Sequence, residues 1–319
     1  MRITDLLLNK SEAPSISYEI IPPKRGGSIR DVLAVVEDLV PFDPAFIDVT
    51  SHSAQAYYEE LPDGTWRRHV KRKRPGTLGL CAAIQSRFNI PAVPHLLCEG
   101  FTREETEDAL IELNYLGVEN VMALRGDDHG FRKVISGERS RNGYAVDLVE
   151  QISAMNAGSY LEELMDAAPT NFCVGVAGYP EKHFEAPNLT WDILNLKRKV
   201  DAGACYIVTQ MFFDNAHYFN FVERCRDVGI TVPIIPGLKV LTSKRQLQAL
   251  PQRFFLEIPE ALAAEIEAAE DAHVKEIGMA WAIRQSEELL SAGVPYLHYY
   301  IMQRSTIVKP VVEALRKMA

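Results

Sequence analysis

The segment from residue 171 to residue 213 constrains the fold of this chain more than any other feature. An apolar run at residues 172–177 ends in a Gly-Tyr-Pro break, and a polar loop follows. Residues 191–202 then place apolar side chains at three- and four-residue spacing, and a glycine stops this pattern before a second apolar run at 206–213. A strand–helix–strand order of this kind predicts two parallel strands joined by a helical crossover.

The same alternation recurs along the chain. Strands are predicted at residues 15–21, 46–50, 92–98, 120–125, 172–177, 206–213, 232–238 and 296–302. Helices are predicted at residues 28–40, 77–84, 102–116, 144–155, 160–167, 191–202, 216–228, 244–254 and 273–292. Eight strands alternating with helices predict one (β/α)8 TIM barrel over residues 1–319, with an acidic helical insert near 259–270.

A doubly wound open sheet is the structural alternative. Such a sheet usually has a Gly-rich turn of the GxGxxG type after its first strand. At that place this chain has the sequence Pro22-Pro23-Lys24-Arg25-Gly26-Gly27. The residues therefore favour the barrel.

The composition narrows the class of protein. Of 319 residues, 47% are hydrophobic, which suffices for a large core, and the net charge of −9 disfavours general affinity for nucleic acid. The five cysteines form no CxxC pair and mostly lie in apolar runs, as reduced cytosolic thiols do. We find no signal-peptide pattern and no apolar run long enough to span a bilayer, so we expect a cytoplasmic protein without membrane contacts.

Polar side chains follow the predicted strands where each strand ends. In a (β/α)8 barrel the site is built at the carboxyl ends of the strands. The polar residues at those ends are Glu19, Thr50, His95, Arg125, Asp127, Tyr179, Gln210 and Arg304, with Gly126 between the fourth and fifth of them. Each has a structural explanation, such as an ion pair or a hydrogen-bonded core histidine. Their convergence on one rim predicts a ligand site, and we predict no metal site.

Ten segments carry a resemblance to a known family. They are YEIIPP (18–23), DVTS (48–51), PHLLC (94–98), ALRGD (123–127), YAVDL (144–148), GYPEKHFEA (178–186), LNLKRKVDAGA (194–204), TQMFFD (209–214), IIPGL (234–238) and the strand around 300–304. In this order they resemble methylenetetrahydrofolate reductase of the single-domain bacterial type. ALRGD and LNLKRKVDAGA are the most specific of them.

The resemblance implies a fold and an activity. The family's fold is a (β/α)8 barrel that holds FAD. NADH or NADPH reduces the flavin, and the reduced flavin then converts 5,10-methylenetetrahydrofolate to 5-methyltetrahydrofolate, a ping-pong sequence in one-carbon and methionine metabolism. Relatives are often homo-oligomers, so we expect one here.

The resemblance also implies roles for single residues. Glu19 matches the general acid that protonates a folate nitrogen, and Asp127 matches the aspartate beside the flavin ring and the pterin. The positions that match FAD contacts are Thr50, Ser51, His95, Arg125, Gly126, Asp127, Tyr144, Ala145, Tyr179, His183, Ala186, Asp192, Asn195, Arg198 and Lys199. The positions that match folate contacts are Glu19, Asp127, Gln210, Gln246 and Arg304.

The chemistry of these residues agrees with the implied roles. A carboxyl group between Tyr18 and Ile20 is expected to have a raised pKa, which suits an acid near neutral pH. Arg198 and Lys199 provide the positive charge that a diphosphate needs. Gln210 lies inside an apolar run, where its amide must find a partner or a ligand.

The chain departs from the family at three places. Leu250 stands where bacterial members often have a phenylalanine that packs on the substrates. The loop at 128–142 is longer than in the simplest members and carries Arg132, Lys133, Arg139 and Arg141. A basic run consists of Arg67, Arg68, Lys71, Arg72, Lys73 and Arg74. We interpret this run as a solvated loop or as a docking surface for a polyglutamate tail or a nucleotide phosphate.

Two alternative functions stay open at the level of sequence. One is a different flavin-dependent barrel oxidoreductase, such as a proline dehydrogenase-like enzyme. The other is a flavin- or folate-binding subunit that acts only within a larger electron-transfer complex.

Overall fold

The strands pair in parallel and nearly in chain order, as the alternation predicts. The computed structural model describes residues 1–8, 14–71, 76–127, 137 and 139–317. One sheet has the order β10-β11-β1-β2-β5-β6-β7-β8-β9. Its strands are β1 Ser15–Ile20, β2 Ile47–Val49, β5 Ala92–Leu97, β6 Asn120–Leu124, β7 Cys173–Gly178, β8 Tyr206–Thr209, β9 Ile234–Ile235, β10 Gly237–Leu238 and β11 Tyr296–Met302.

The short strands β9 and β10 together take the place of one barrel strand. Through their pairings the sheet curves into a nearly closed barrel. β9 pairs with β8, whereas β10 pairs with β11. Between them lies Pro236, which has no N–H to donate to a neighbouring strand. Gly237 follows, and a Cβ atom there would lie 2.1 Å from the carbonyl oxygen of Thr209. The seventh predicted strand is thus interrupted, and the predicted (β/α)8 barrel is confirmed.

Helices follow the barrel strands. They are α1 Ile3–Leu8, α2 Ile29–Glu37, α3 Thr77–Phe88, α4 Arg103–Tyr115, α5 Ala145–Asn156, α6 Leu189–Asp201, α7 Asn215–Asp227, α8 Gln246–Phe254, α9 Glu260–Ala268, α10 Val274–Ser291 and α11 Ser305–Arg316. The predicted capping box of α4 is present, since Thr102 and Glu105 cap one another's backbone N–H groups. The acidic helical insert is α9.

The predicted helix at 160–167 is wrong. This segment forms turns, and the N–H of Leu161 donates to the carboxylate of Glu107 at 2.7 Å. Tyr160 packs against the core at one end of the segment, but Leu164 and Met165 are exposed, so most of the segment is not packed on the barrel. A helix of about two turns is not stable in water without such packing.

Two other segments differ from their prediction. The long loop predicted after the second strand contains an exposed hairpin, β3 Gln55–Glu60 and β4 Trp66–Lys71. The Asp63-Gly64 pair in its turn is the sequence signal that would have predicted it. The sixth strand is shorter than predicted because residues 210–213 leave the sheet. There Trp281 donates to the carbonyl of Phe213 at 3.0 Å.

The interior of the barrel is closed at the amino ends of the strands. The buried residues Ile3, Phe46, Val93, Met122, Cys173, Tyr206, Val208 and Ile235 form an apolar cluster there. The Ile3 N–H donates to Asn120 at 2.9 Å, which seats α1 against this end of the barrel. A ligand can therefore enter the interior from the carboxyl ends of the strands.

Within the described part of the chain, no helix is both long and apolar enough to cross a membrane. The predicted compartment and homo-oligomer stay predictions.

Candidate active site

Four ionisable side chains meet inside the barrel; Asp48, His95 and His298 are buried, and the Glu19 side chain is 14% exposed. Glu19 on β1, Asp48 on β2, His95 on β5 and His298 on β11 come from four different strands and face one another. The Nε2 atom of His95 lies 3.7 Å from Glu19 Oε2 and 3.9 Å from Asp48 Oδ2. The Nε2 atom of His298 lies 3.7 Å from Asp48 Oδ2. We call these four residues the acid–histidine cluster.

The members of the acid–histidine cluster are close without direct hydrogen bonds between them. Both oxygens of Asp48 and the Nε2 atoms of His95 and His298 lack a hydrogen-bond partner among the described residues. Separations of 3.7–3.9 Å exceed a direct hydrogen bond, so the groups interact mainly through charge. Asp48 is 1% exposed and His298 is 0% exposed, and water therefore screens this charge weakly.

Burial gives Glu19 the protonation behaviour of an acid near neutrality. Desolvation raises the pKa of the Glu19 carboxyl to about 7; His95 opposes this shift and Asp48 adds to it. Burial opposes charge on His95, but the carboxylates of Asp48 and Glu19 outweigh it and raise the pKa of His95. Burial lowers the pKa of His298 to about 4. Glu19 is thus the group that can hold and release a proton near pH 7.

Three cluster members can also be considered as metal ligands. Glu19, Asp48 and His95 each offer one ligand atom, and these atoms lie within 4.8 Å of one another. A cation would require the ionised form of Glu19, whereas burial favours its protonated form. Cation binding and acid function at Glu19 therefore exclude one another.

A cavity of about 310 Å³ opens at the ends of β10 and β11, and no member of the acid–histidine cluster is among the residues that line it. Two predicted folate residues, Gln246 and Arg304, line it together with Lys239 and Tyr300. Lys239 donates to the carbonyl of Tyr300 at 3.3 Å. Burial lowers the pKa of Lys239, and Glu19 opposes that shift. Among the residues that line the cavity, Lys239 therefore lies close enough to Glu19 for their charges to interact.

Gln210 is not among the residues that line this cavity. The side-chain oxygen of Gln210 accepts from the N–H of Met211 at 3.0 Å, and the backbone N–H of Gln210 donates to the carbonyl of Gly178 at 2.8 Å. Gln246 uses its side-chain oxygen at the start of α8, where the Thr242 N–H donates to it at 2.6 Å. The side-chain oxygens of both glutamines thus already have partners within the chain.

The opening of the barrel at the carboxyl ends of the strands is called the mouth here. The loops after β6 and β7 form one side of it. Arg125 donates to Glu185 at 2.5 Å, which ties the two loops together. The rings of Tyr179 and His183 meet edge to face with centroids 4.8 Å apart. Asp127 is exposed beside them, and its charge contributes to the raised pKa of Tyr179, after burial and Asp192.

The four predicted FAD contacts on α6 fall into two pairs: two contact β7 or the loop after it, and two are exposed. Asp192 accepts from the N–H of His183 at 2.7 Å, and Lys199 donates to the carbonyl of Ala177 at 2.7 Å. Both therefore face the mouth, and burial lowers the pKa of Lys199 to about 8 although Asp192 opposes this. Asn195 and Arg198 are exposed and contact each other at 3.4 Å.

The remaining predicted residues lie around the same mouth. Thr50 is buried and Ser51 half-buried after β2, and Thr50 Oγ1 has no hydrogen-bond partner in the described ranges. Tyr144 is exposed and Ala145 half-buried at the start of α5. The carbonyl of Ala186, a buried residue, accepts from Lys182 at 3.1 Å.

The sequence departs from the family's pattern at three places, and these lie in different surroundings in the structure. Leu250 is buried in an apolar cluster with α9, so it presents no surface to a ligand. Of the basic run, Arg67, Arg68 and Lys71 lie exposed on β4, whereas residues 72–74 lie outside the described residues. Of the added loop charges, Arg139 and Arg141 are exposed, whereas residues 132 and 133 lie outside the described residues.

Sequence reasoning missed three residues of the site. Asp48 and His298 belong to the acid–histidine cluster, and Lys239 joins it to the cavity. A charged or ionisable residue within or just after an apolar strand is the signal common to all three. It marks a buried polar group that needs a partner.

Comparison with known proteins gives one consistent family. The family model described as methylenetetrahydrofolate reductase matches residues 3–316. Methylenetetrahydrofolate reductase 1 of Schizosaccharomyces pombe is 30% identical over 99% of this chain and 48% of its own length. The chain thus spans about half the length of such relatives. The 5,10-methylenetetrahydrofolate reductase of Buchnera aphidicola is 30% identical over 94% of this chain and 91% of its own length.

A solved structure supports the fold alone. It is an uncharacterized protein from Clostridium thermocellum that binds two copies of 5-methyl-5,6,7,8-tetrahydrofolic acid. The TM-score is 0.58 at 16% identity, and the likeness covers 99% of this chain and 98% of that one.

Proposed function

Because the chain belongs to the methylenetetrahydrofolate reductase family, we propose that it reduces 5,10-methylenetetrahydrofolate to 5-methyltetrahydrofolate with NADH or NADPH, through a bound FAD. The observation that carries this proposal is Glu19. Its carboxyl lies inside the barrel beside His95, and with its pKa raised by burial to about 7 it is suited to protonate an amine leaving group.

The residues around the mouth fit FAD. The buried Thr50 Oγ1 is an unused polar atom at the end of β2. Gly126 has φ +87, and a Cβ atom there would come within 3.4 Å of Glu99, so glycine keeps the backbone open to close approach. Arg125 and Lys199 bring positive charge to the same side. Bound FAD would supply two-electron chemistry between the nicotinamide and the folate.

Glu19 acts on the folate. Its protonated carboxyl donates a proton to a ring nitrogen of methylenetetrahydrofolate, which makes that nitrogen a better leaving group and opens the five-membered ring. Afterwards the carboxylate left on Glu19 is stabilised by His95 at 3.7 Å. Because this ion pair is buried, it holds the negative charge until a proton returns.

The other predicted substrate residues position the folate. Arg304 and Gln246 line the cavity at the ends of β10 and β11, where they suit the polar groups of a pterin or a glutamate. Asp127 on the rim accepts N–H donors of the pterin. Its negative charge also disfavours an anionic reduced flavin, which keeps the flavin potential low.

Spectroscopy of the purified chain tests the proposal. Acid extraction of a yellow chromophore should release FAD. Under anaerobic conditions NADH or NADPH should bleach the flavin, and methylenetetrahydrofolate should restore its colour. Recovery of FMN or of no flavin would refute the cofactor assignment. A flavin that neither nucleotide bleaches would favour a subunit of a larger electron-transfer complex.

A further inference from the structure

An exposed pair of stacked phenylalanine rings lies on the rim of the mouth. The ring centroids of Phe184 and Phe255 are 4.8 Å apart, and the ring planes differ by 19°. Even so, Phe184 is 49% exposed and Phe255 is 55% exposed. The stacking therefore leaves large apolar faces in solvent, which core packing does not explain.

The backbone holds this pair in place at some cost. Phe255 follows α8 with φ +56, in the left-handed region that bulky side chains rarely occupy. Glycine or asparagine would take this conformation more readily. Nearby, the N–H of Glu257 donates to the carboxylate of Glu181 at 2.7 Å. This bond ties the segment after α8 to the loop after β7, which carries Phe184.

The pair continues a row of rings that begins at the barrel. Tyr179, half-buried after β7, meets His183 at a centroid distance of 4.8 Å. The ring of His183 lies 4.7 Å from that of Phe184. A dinucleotide that contacts Tyr179 and His183 can thus extend along the same loop toward Phe255.

Size and charge favour a single planar base as the occupant. The exposed face of one ring has an area far smaller than the area of about 800 Å² that each partner buries in a stable protein interface. Cations also lie near the pair. Lys182, two residues before Phe184, donates to the carbonyl of Ala186 at 3.1 Å, and the guanidinium of Arg253, two residues before Phe255, lies 5.4 Å from the ring centroid of Phe254. Cations beside a stacking surface suit a base that is linked to phosphates.

We propose that Phe184 and Phe255 form a stacking subsite for the adenine ring of a dinucleotide. The proposal rests on the proposed function, which provides two such adenines, one in FAD and one in NAD(P)H. Stacking on an aromatic side chain has the same chemistry for both, so the experiment must distinguish the two sources.

Two variants remove one ring each. Phe255→Asn suits the left-handed backbone, and Phe184→Leu keeps an apolar side chain without a π face. Phe184→Tyr keeps the ring and serves as the conservative variant. Tyr115→Ala is the matched control, because Tyr115 is an aromatic residue 81% exposed at the end of α4, on the opposite face of the barrel.

Three affinities are measured for each protein. They are the Kd of the apoprotein for FAD, its Kd for FMN, which lacks adenine, and the inhibition constant of ADP-ribose against flavin reduction by NADH. Loss of a stacked base should weaken FAD, ADP-ribose or both by about 5- to 100-fold in Phe255→Asn and Phe184→Leu. FMN affinity should stay unchanged, and Phe184→Tyr and Tyr115→Ala should match the wild type.

Each outcome decides the proposal. Weaker FAD binding alone assigns the subsite to the flavin adenine, and weaker ADP-ribose inhibition alone assigns it to the nicotinamide nucleotide. Unchanged constants, or equal losses for FAD and FMN, would overturn the subsite while the proposed function stands. A wild-type protein that binds no flavin at all would refute the proposed function itself, and the subsite with it.

Discussion

The two ends of the barrel interior are built from opposite kinds of side chain. At the amino ends of the strands, Ile3, Phe46 and Tyr206 pack with five other buried apolar residues. Toward the carboxyl ends, Glu19 and Asp48 face two histidines at 3.7–3.9 Å. The same fold thus uses one half of its interior for stability and accepts desolvated charge in the other half for chemistry.

His298 lies at the border between these halves. Its ring stacks on Phe46 with centroids 6.0 Å apart, and its Nδ1 lies 2.9 Å from the hydroxyl of Ser17. Its Nε2 faces Asp48 at 3.7 Å. Changes in the apolar half should therefore alter stability, and changes in the polar half should alter catalysis or pH dependence.

The largest effect is expected at Glu19. Glu19→Gln keeps the shape of the side chain and removes its acidic proton. Oxidation of reduced flavin by methylenetetrahydrofolate should slow by about 10²- to 10⁴-fold, whereas flavin reduction by NAD(P)H should stay near the wild-type rate. Stopped-flow absorbance of each half-reaction measures both rates. If both fell together, Glu19 would be a positioning residue, and an unchanged folate rate would make it structural.

In the apolar half, Tyr206→Ala should mainly reduce stability. Deleting this fully buried ring should lower the free energy of unfolding by about 3–5 kcal/mol. Tyr206→Phe is the control, because the Tyr206 hydroxyl has no hydrogen-bond partner in the described part of the chain. That variant should be close to neutral. Urea unfolding monitored by circular dichroism compares them, and equal stability of the two variants would contradict the comparison.

At the border, His298 should make stability depend on pH. Its folded pKa is lowered by burial to about 4, below the ordinary 6.5, so the unfolded chain takes up the proton first as pH falls. The stabilisation is present above about pH 6.5 and is lost toward pH 4. Between about pH 7.5 and pH 5 the wild type should lose about 2 kcal/mol through this group.

His298→Gln should lack this loss. Urea unfolding of both proteins at the two pH values measures it. Glu19 acts in the opposite direction, because its raised pKa favours the folded state as pH falls, but it contributes to both proteins. The same pH dependence in both would show that His298 is not the responsible group.

The smallest effect is expected at Asp127, which lies exposed outside both halves. Asp127→Asn preserves size and removes a negative charge. The charge is worth on the order of 1 kcal/mol at 4 Å in water, so the flavin potential should rise by about 20 mV for a two-electron couple. Dye-coupled reductive titration measures the potential, and folate affinity should weaken as well. An unchanged potential would make Asp127 a structural ion-pair partner.

Local patterns predicted the barrel well because each element carries its own signal. Thr102 and Glu105 announce the start of α4, and the apolar run at 296–302 matches β11 at both ends. The false helix at 160–167 has helix-forming residues, but beyond Tyr160 little of the segment packs against the barrel. Helix propensity is local, whereas the contacts that stabilise a short helix are not.

The site was predicted less completely, for a similar reason. Strand-end position drew attention to Glu19 and His95, and the resemblance added roles. Asp48 lay within a quoted motif, yet its importance depends on His298, which follows 250 positions later in the chain. The Phe184–Phe255 stack likewise joins two loops that share no local pattern.

The sequence by itself determined the order of the elements, the barrel they form and the family to which the chain belongs, because periodicity, capping residues and motifs are properties of neighbouring residues. Only the tertiary structure decided which side chains lie together in the interior of the barrel. Parallel strands bring residues from distant parts of the chain to one level of the barrel, and burial there is what raises the pKa of Glu19 to about 7.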